Sequence, residues 1–149
     1  MDLAGSYSFP APPDSVWNLL IDPQVVAACL PGCDRLEPVG PDQYRAALTL
    51  TIAAVGGSYT VLISILDKQP PRSYRLVVEG SGKPGFVKGE AIVELTEHGE
   101  ATMVNVKGQG QVGGLIARVG QRLLGSASKM MMDRFFGCLQ GRIGKGASA

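Results

Sequence analysis

The sequence is short of the residues on which catalytic and metal sites depend. It contains one histidine and three cysteines among 149 residues. The histidine, His98, lies in the segment Glu-His-Gly-Glu (97–100), which is typical of a solvated turn, so no Ser-His-Asp or Cys-His arrangement is predicted. Cys29, Cys33 and Cys138 do not resemble a disulfide framework or a metal site, and Cys29 and Cys33 are interpreted as small buried apolar residues.

Strong net charge and long apolar runs are also missing. Fourteen basic residues against thirteen acidic ones give a formal net charge of +1. This balance gives no indication of the clustered basic residues that nucleic-acid binding requires. No run approaches the roughly 20 apolar residues that span a bilayer, and the N-terminus is unlike a signal peptide. The glycine-rich segment 80–89 lacks the Gly-Lys-Ser/Thr ending of a phosphate loop. We therefore expect a cytoplasmic protein, with a peripheral position at the inner face of the membrane left open.

Alternation of apolar and polar residues predicts about seven β-strands. The first lies within residues 1–9, and about six more follow between Asp34 and Val112, separated by glycine and proline turns. Two short helices are expected after the first strand, because Asp14 and Asp22 stand at helix starts marked by proline. Strands joined by short turns indicate an antiparallel meander.

A helical period replaces this alternation after residue 113. From Gly114 to Leu139 there is no proline, and four charged residues form one stripe: Arg118, Arg122, Lys129 and Asp133. The opposite face predicts that Val119, Leu123, Ala127 and Met131 meet the strands. We expect one α+β domain over residues 1–140 and a flexible tail over 141–149.

A single helix cannot cover a flat sheet of this size, so the sheet is expected to curve around it and leave a space. Five glycines fall on inward strand positions, and each either allows a bend or leaves room for a ligand: Gly5, Gly80, Gly89, Gly108 and Gly110. The run Met130–Met132, with Phe135 and Phe136, either fills the core or contacts a ligand.

These patterns predict an apolar ligand cavity. Its expected lining is Leu48, Leu50, Val61, Ile63, Leu76, Val78, Phe86, Val106, Val119, Leu123, Ala127 and Met131. Its mouth is expected where the short helices face a mobile loop (82–88), at Val26, Cys29, Leu30 and Phe86. No catalytic residue, metal ligand or required cofactor is predicted.

Five segments resemble one known family: APPDSVWNLLIDP (11–23), AACLPGC (27–33), PPRSYRL (70–76), GFVKG (85–89) and QVGGLIARVGQRLLG (111–125). In this order they are similar to the carbon monoxide dehydrogenase CoxG family of the START-like, or SRPBCC, superfamily. The resemblance runs from Leu3 to about Phe136. It implies a helix-grip fold with an apolar cavity, a quinone-like ligand and a molybdenum hydroxylase as partner. It implies no catalytic residue.

Three functions are compatible with the sequence. The first is a non-catalytic carrier of a lipophilic molecule, with transient membrane contact but no stable insertion. The second is a cyclase- or hydrolase-like enzyme of the same superfamily, which would need inward polar groups placed on a substrate. The third is an assembly factor that acts through protein contacts alone. The inward positions are nearly all aliphatic or glycine, which favours the carrier. Their recurrent polar groups are the hydroxyls of Tyr7, Tyr44, Tyr59 and Tyr74.

Overall fold

A seven-stranded sheet and a long helix dominate residues 1–51 and 55–148, the part of the chain that the computed structural model describes, with side chains described as far as Ile143. The elements in chain order are β1 (Asp2–Phe9), α1 (Pro13–Ile21), α2 (Pro23–Cys29), β2 (Cys33–Gly40), β3 (Gln43–Leu50), β4 (Gly57–Gln69), β5 (Ser73–Gly82), β6 (Gly85–His98), β7 (Ala101–Gly113), a 3₁₀ helix (Leu115–Val119) and α3 (Gln121–Ser148).

The sheet is an antiparallel meander closed at one edge by the first strand. Its order is β1-β7-β6-β5-β4-β3-β2, so every strand from β2 to β7 pairs with its sequence neighbour. β1 adds to the outer edge of β7, with Gly5 opposite Val106. The sheet curves around α3, and the predicted strand number, antiparallel pairing and helix-grip architecture are confirmed.

Each short helix begins where proline and aspartate predicted it. Asp22 caps α2, since its side chain accepts a hydrogen bond of 2.9 Å from the Gln24 amide. Pro13 and Pro23 occupy the first helical positions, where no amide hydrogen is needed. α1 buries Val16, Trp17 and Leu20 in a hydrophobic core that also contains side chains of the sheet.

The long helix begins later and ends later than predicted. Gly114 (φ 80°) and Gly120 (φ 96°) adopt positive φ values that break a continuous helix, and the residues between them form the 3₁₀ turn. α3 therefore starts at Gln121 instead of Gly114. It continues to Ser148 instead of ending near Leu139, and Ile143, which lies within the expected tail (141–149), is buried in the core. Ala149 lies outside the described residues.

The charged stripe of this segment faces solvent, as predicted. Arg118, Arg122, Lys129 and Asp133 are all exposed. The inward face differs from the prediction by one position, because Leu124 is buried whereas Leu123 is 52 % exposed. Helical spacing permits either residue beside Ala127, since Leu123 lies four and Leu124 three positions before it, and the packing of α3 on the sheet selects Leu124.

Candidate functional site

A cavity of about 400 Å³ lies between the concave face of the sheet and α3. All seven strands, α1, α2, α3 and the 3₁₀ helix contribute to its wall. This volume is within the roughly 300–1,000 Å³ of small-molecule pockets. Among the described wall residues there is no Asp, Glu, Lys, Arg or His. Because an unpaired charge is costly in such surroundings, the cavity suits an uncharged ligand.

The centre of the interior is open. Ile63, Leu76, Val78, Val87 and Ala91 line the cavity from the three central strands, yet each is only partly buried. Inward residues of a central strand would be fully enclosed in a close-packed core. Their partial exposure shows that they face the cavity space.

Two clusters of buried side chains flank this space. The packed core contains Phe9, Ala11, Val16, Trp17, Leu20, Val25, Cys29, Ile65, Tyr74, Val93, Leu95, Val104, Val106, Met132, Phe136, Leu139 and Ile143. The cavity-wall cluster contains Ala46, Leu48, Val55, Tyr59, Val61, Ile116, Leu124 and Ala127. Every member of the cavity-wall cluster except Ala46 lines the cavity.

Three tyrosines and one serine supply the polar side chains of the wall. The Tyr59 hydroxyl donates a hydrogen bond of 2.7 Å to the Val55 carbonyl, and the Ser128 hydroxyl donates one of 2.8 Å to the Leu124 carbonyl. Tyr44 is half-buried, and Tyr74 is 6 % exposed. Neither hydroxyl has a hydrogen-bond partner among the described residues.

Tyr74 lies where the packed core meets the cavity. Its ring packs edge-on against Trp17, with the ring centroids 5.5 Å apart. Burial raises the pKa of the Tyr74 phenol well above its ordinary value, because the phenolate would be desolvated. The hydroxyl therefore stays protonated and can donate a hydrogen bond.

Three of the five inward glycines distinguish between the two interpretations, a close approach of the backbone and room for a ligand. A Cβ at Gly108 would clash with the Glu90 carbonyl oxygen and with the side chain of Ala91, so this glycine permits a close strand approach. A Cβ at Gly5 would lie 2.9 Å from the terminal methyl of Met132, so β1 and α3 approach closely there. Gly80 lines the cavity, and Val61 is the side chain nearest to it. Gly80 thus leaves room, whereas the other two serve packing.

A polar and aromatic contact fastens α3 to β1. The Tyr7 hydroxyl donates a hydrogen bond of 2.6 Å to Asp133, and Lys129 forms a 2.9 Å ion pair with the same carboxylate. The hydrogen bond from Tyr7, and then that from Lys129, lowers the pKa of Asp133. The Tyr7 ring stacks on Phe136 with centroids 4.3 Å apart. The helix is thereby held across the cavity.

A disulfide bond joins Cys29 at the end of α2 to Cys138 in α3, with the Cα atoms 5.4 Å apart. The expectation that the cysteines do not belong to a disulfide framework is therefore wrong for Cys29 and Cys138. Cys29 is buried as predicted, whereas Cys33 is only half-buried. A separation of 109 residues hides this pairing from the sequence, because only the packing of α2 on α3 brings the two thiols together. Cys33 is the free cysteine.

Most of the predicted lining residues do border the cavity. Those that line it are Leu48, Leu50, Val61, Ile63, Leu76, Val78, Val106, Ala127 and Met131, with Val26 and Leu30 from the predicted mouth. All but these last two follow from strand alternation or helical spacing.

Four predicted residues do not line it. Leu123 is exposed, because α3 turns its neighbour Leu124 inward instead. Val119 lies in the 3₁₀ helix beside a surface depression with Pro84 and Leu115. Cys29 is buried in the disulfide. Phe86 is 48 % exposed in β6, opposite Ser81 and Gly113.

The predicted loop at the mouth is instead a tight turn. β5 ends at Gly82 and β6 begins at Gly85, so Lys83 and Pro84 alone connect them. Phe86 belongs to a paired strand, and its ring covers Gly113. The prediction that Phe86 faces α2 across the cavity mouth is wrong.

Further residues of the wall lie outside the predicted lining. Leu124, which sequence reasoning missed, lines the cavity from α3. Met132, Phe135 and Phe136, for which core filling and ligand contact were both left open, border the cavity and the core alike. Tyr44, Tyr59 and Tyr74 also line it. The alternation of apolar and polar residues places these tyrosines on the inward faces of their strands, so the sequence did contain a signal that could have identified them as lining residues.

Two further properties concern the described residues alone. They contain no group of three or more His, Cys, Asp or Glu side chains positioned to hold a metal ion. No helix among them combines the length and apolar character needed to cross a membrane.

Comparison with solved structures defines the class of fold. A conserved protein from Geobacillus kaustophilus superposes with a TM-score of 0.95 at 38% identity, covering 97% of this chain and 96% of that chain. A START superfamily protein from Mycobacterium smegmatis gives a TM-score of 0.79 at 13% identity, covering 97% of each chain. A protein from Chromobacterium violaceum gives 0.71 at 14% identity, covering 95% and 96%. The fold is that of the START-like, helix-grip proteins.

The family follows from the sequence. The profile of the carbon monoxide dehydrogenase CoxG family matches residues 5–144. The chain belongs to the CoxG family, so the resemblance of its motifs is confirmed. No curated protein matches the chain.

Proposed function

We propose that this protein is a non-catalytic carrier that holds a lipophilic small molecule, a quinone-like ring compound being the leading candidate, in its interior cavity. The observation that carries the proposal is the uncharged cavity of about 400 Å³, lined by aliphatic and aromatic side chains. Such a wall binds ring compounds by burying apolar surface. Acid–base catalysis depends on titratable groups placed on the substrate, and the polar wall groups here are tyrosine and serine hydroxyls, which favours the carrier over the enzyme.

The family supports a partner for this carrier. Because CoxG proteins are named for carbon monoxide dehydrogenase, we propose association with a molybdenum hydroxylase of that type. The carrier would then pass its ligand between the membrane and that enzyme. Purified protein and the molybdenum hydroxylase of the same organism should co-elute in size-exclusion chromatography, and separate elution at micromolar concentrations contradicts a direct complex.

An exposed surface at the start of α3 supports transient contact with an anionic membrane. Leu115 is 61 % exposed and Leu123 is 52 % exposed, and Arg118 and Arg122 lie beside them in sequence and face solvent. Apolar side chains flanked by arginine suit the interface of a bilayer that carries negative lipids. Ile116, from the same segment, lines the cavity, so this surface adjoins the proposed ligand space.

Vesicle sedimentation tests this membrane contact. The parent should sediment with phosphatidylglycerol-containing vesicles more than with pure phosphatidylcholine vesicles. A double variant, Leu115→Ser with Leu123→Ser, should lose that sedimentation. The control Ile92→Ser changes an equally apolar side chain, 43 % exposed, on β6. Equal loss in the control, or no binding by the parent, overturns this part of the proposal.

The central experiment fills the cavity. Ala127 is buried and lines the cavity from α3, so Ala127→Trp should place an indole in the ligand space. We expect affinity for a soluble quinone analogue such as menadione to fall more than tenfold, while the melting temperature stays within a few degrees of the parent. In a close-packed core the same change would cost about 1–3 kcal/mol or more.

Ser126→Trp is the matched control, because Ser126 is the exposed neighbour of Ala127 on the same helix. This variant should bind as the parent does. A parent that binds no quinone analogue, or an Ala127→Trp variant that binds as tightly as the parent, contradicts the proposal.

A further inference from the structure

The Tyr74 hydroxyl is a hydrogen-bond donor without an acceptor. The side chain is 6 % exposed, and no hydrogen bond to its hydroxyl occurs among the described residues. Every fully enclosed side-chain nitrogen or oxygen of the described residues has a hydrogen-bond partner. The Tyr74 hydroxyl has none, so it is not fully enclosed. The hydroxyl oxygen therefore borders open space, and the cavity that Tyr74 lines offers such space.

The other polar groups of the wall are occupied or near solvent. Tyr59 and Ser128 already donate to backbone carbonyls. Tyr44 is only half-buried, so water competes for its hydroxyl. Tyr74 alone among the described wall residues combines near-complete burial with a free donor. A ligand acceptor that meets it gains a hydrogen bond in apolar surroundings, where such bonds are strong.

The position of Tyr74 on β5 also orients a ligand. Tyr74, Leu76, Val78 and Gly80 occupy alternate positions of one strand, and all four line the cavity. At about 3.3 Å per residue the row from Tyr74 to Gly80 spans roughly 20 Å. The donor stands at one end of this row, and the rest offers apolar contact and the room left by Gly80.

Building on the proposed carrier function, we infer that Tyr74 is the polar anchor of the cavity and donates its hydroxyl hydrogen to an uncharged carbonyl oxygen of the ligand. The ligand class is thus a neutral lipophilic compound with a carbonyl at one end and an apolar body along β5. A pure hydrocarbon would leave the donor unpaired, and an anion would have to leave water for an uncharged wall.

A pair of ligands and a pair of variants test this inference. Menadione carries ring carbonyls, and 2-methylnaphthalene has the same fused rings without them. Tyr74→Phe should weaken menadione binding roughly 3- to 10-fold, the range of one hydrogen bond, and change the affinity for 2-methylnaphthalene less than about 2-fold. Tyr44→Phe, the same substitution at a wall hydroxyl for which water competes, should weaken menadione binding less than Tyr74→Phe does.

Infrared spectroscopy gives a second measurement, the carbonyl stretching frequency, which a change in packing alone would not alter. A carbonyl stretch of bound menadione should lie at lower frequency in the parent than in Tyr74→Phe, because the hydrogen bond weakens the C=O bond. Unchanged menadione affinity and frequency in Tyr74→Phe overturn the anchor while leaving the carrier function standing. So does a larger effect of Tyr44→Phe than of Tyr74→Phe, or an equal loss of affinity for both ligands in Tyr74→Phe. If the parent binds neither compound, the proposed function itself fails.

Discussion

The packed core and the cavity-wall cluster use the same kinds of side chain but reach different degrees of closure. In the packed core, Phe9, Val16, Val104 and Leu139 are completely buried, and none of them borders the cavity. In the cavity-wall cluster only Ala46 among the described residues is completely buried, and the other members retain 5–8 % exposure, as do several packed-core residues that border the cavity, such as Ile65 and Met132. Both clusters are apolar, so composition does not separate them. What separates them is whether a neighbouring element fills the space that each side chain faces.

The packed end has more covering elements. α1, α2 and the second half of α3 all pack there, and the disulfide ties two of them together. The cavity-wall end is covered by the first half of α3 and the 3₁₀ helix. We therefore expect more of the stability to reside at the packed end of the interior, which leaves the other end free to hold a ligand.

The same substitution at the two ends of α3 should expose this difference most strongly. Leu139→Ala removes a completely buried side chain from the packed core and should cost about 3–5 kcal/mol. Leu124→Ala removes one that already borders the cavity and should cost only about 2 kcal/mol, because less packing is lost. Urea unfolding of both variants measures the two losses. Equal losses would mean that the two ends are packed alike.

Removal of the disulfide should have the next largest effect. Cys138→Ala opens a cross-link between residues 109 apart and should lower the free energy of unfolding by about 2–4 kcal/mol. Cys33→Ala, which changes the free cysteine, is the control and should have little effect. Reductant should lower the stability of the parent and leave Cys138→Ala unchanged. Three reactive thiols in the unfolded, unreduced parent, instead of one, would show that the bond does not form.

Alanine substitutions at two inward glycines should distinguish a glycine that allows a close approach of strands from one that borders the cavity. Gly108→Ala should destabilise the protein by about 1–3 kcal/mol, because its Cβ would meet the backbone of β6. Gly80→Ala should change stability by less than about 1 kcal/mol, because the Val61 side chain, 3.2 Å from the new Cβ, can move into the cavity. Thermal melts give both values. The distinction fails if Gly80→Ala is the more damaging of the two.

Much of the fold could be predicted from the sequence, because strand alternation reports directly which face is buried. The row Tyr74, Leu76, Val78 and Gly80 was placed inward in this way, and it lines the cavity. The helix starts at Pro13 and Pro23 were equally readable, since proline and aspartate act within one turn.

What could not be predicted depends on contacts that are distant in sequence or on single dihedral angles. The positive φ of Gly120 decides where α3 begins. Helical spacing alone does not choose between Leu123 and Leu124 as the inward residue beside Ala127, and the packing of α3 buries Leu124. The Cys29–Cys138 bond depends on how α2 packs against α3. The unpaired state of the Tyr74 hydroxyl requires knowledge of every neighbouring acceptor, which no local pattern contains.

Methionine methyl groups offer the most direct test that the interior cavity is the ligand site. Of the five methionines, Met1, Met131 and Met132 line the cavity, whereas Met103 and Met130 do not. Labelling the methyl groups with ¹³C and adding menadione should shift the NMR signals of Met131 and Met132. The signal of the 41 % exposed Met130, on the same helix, should stay in place. Saturable shifts confined to Met130 or Met103, or no shift at any methionine, would contradict a ligand-binding cavity between the sheet and α3.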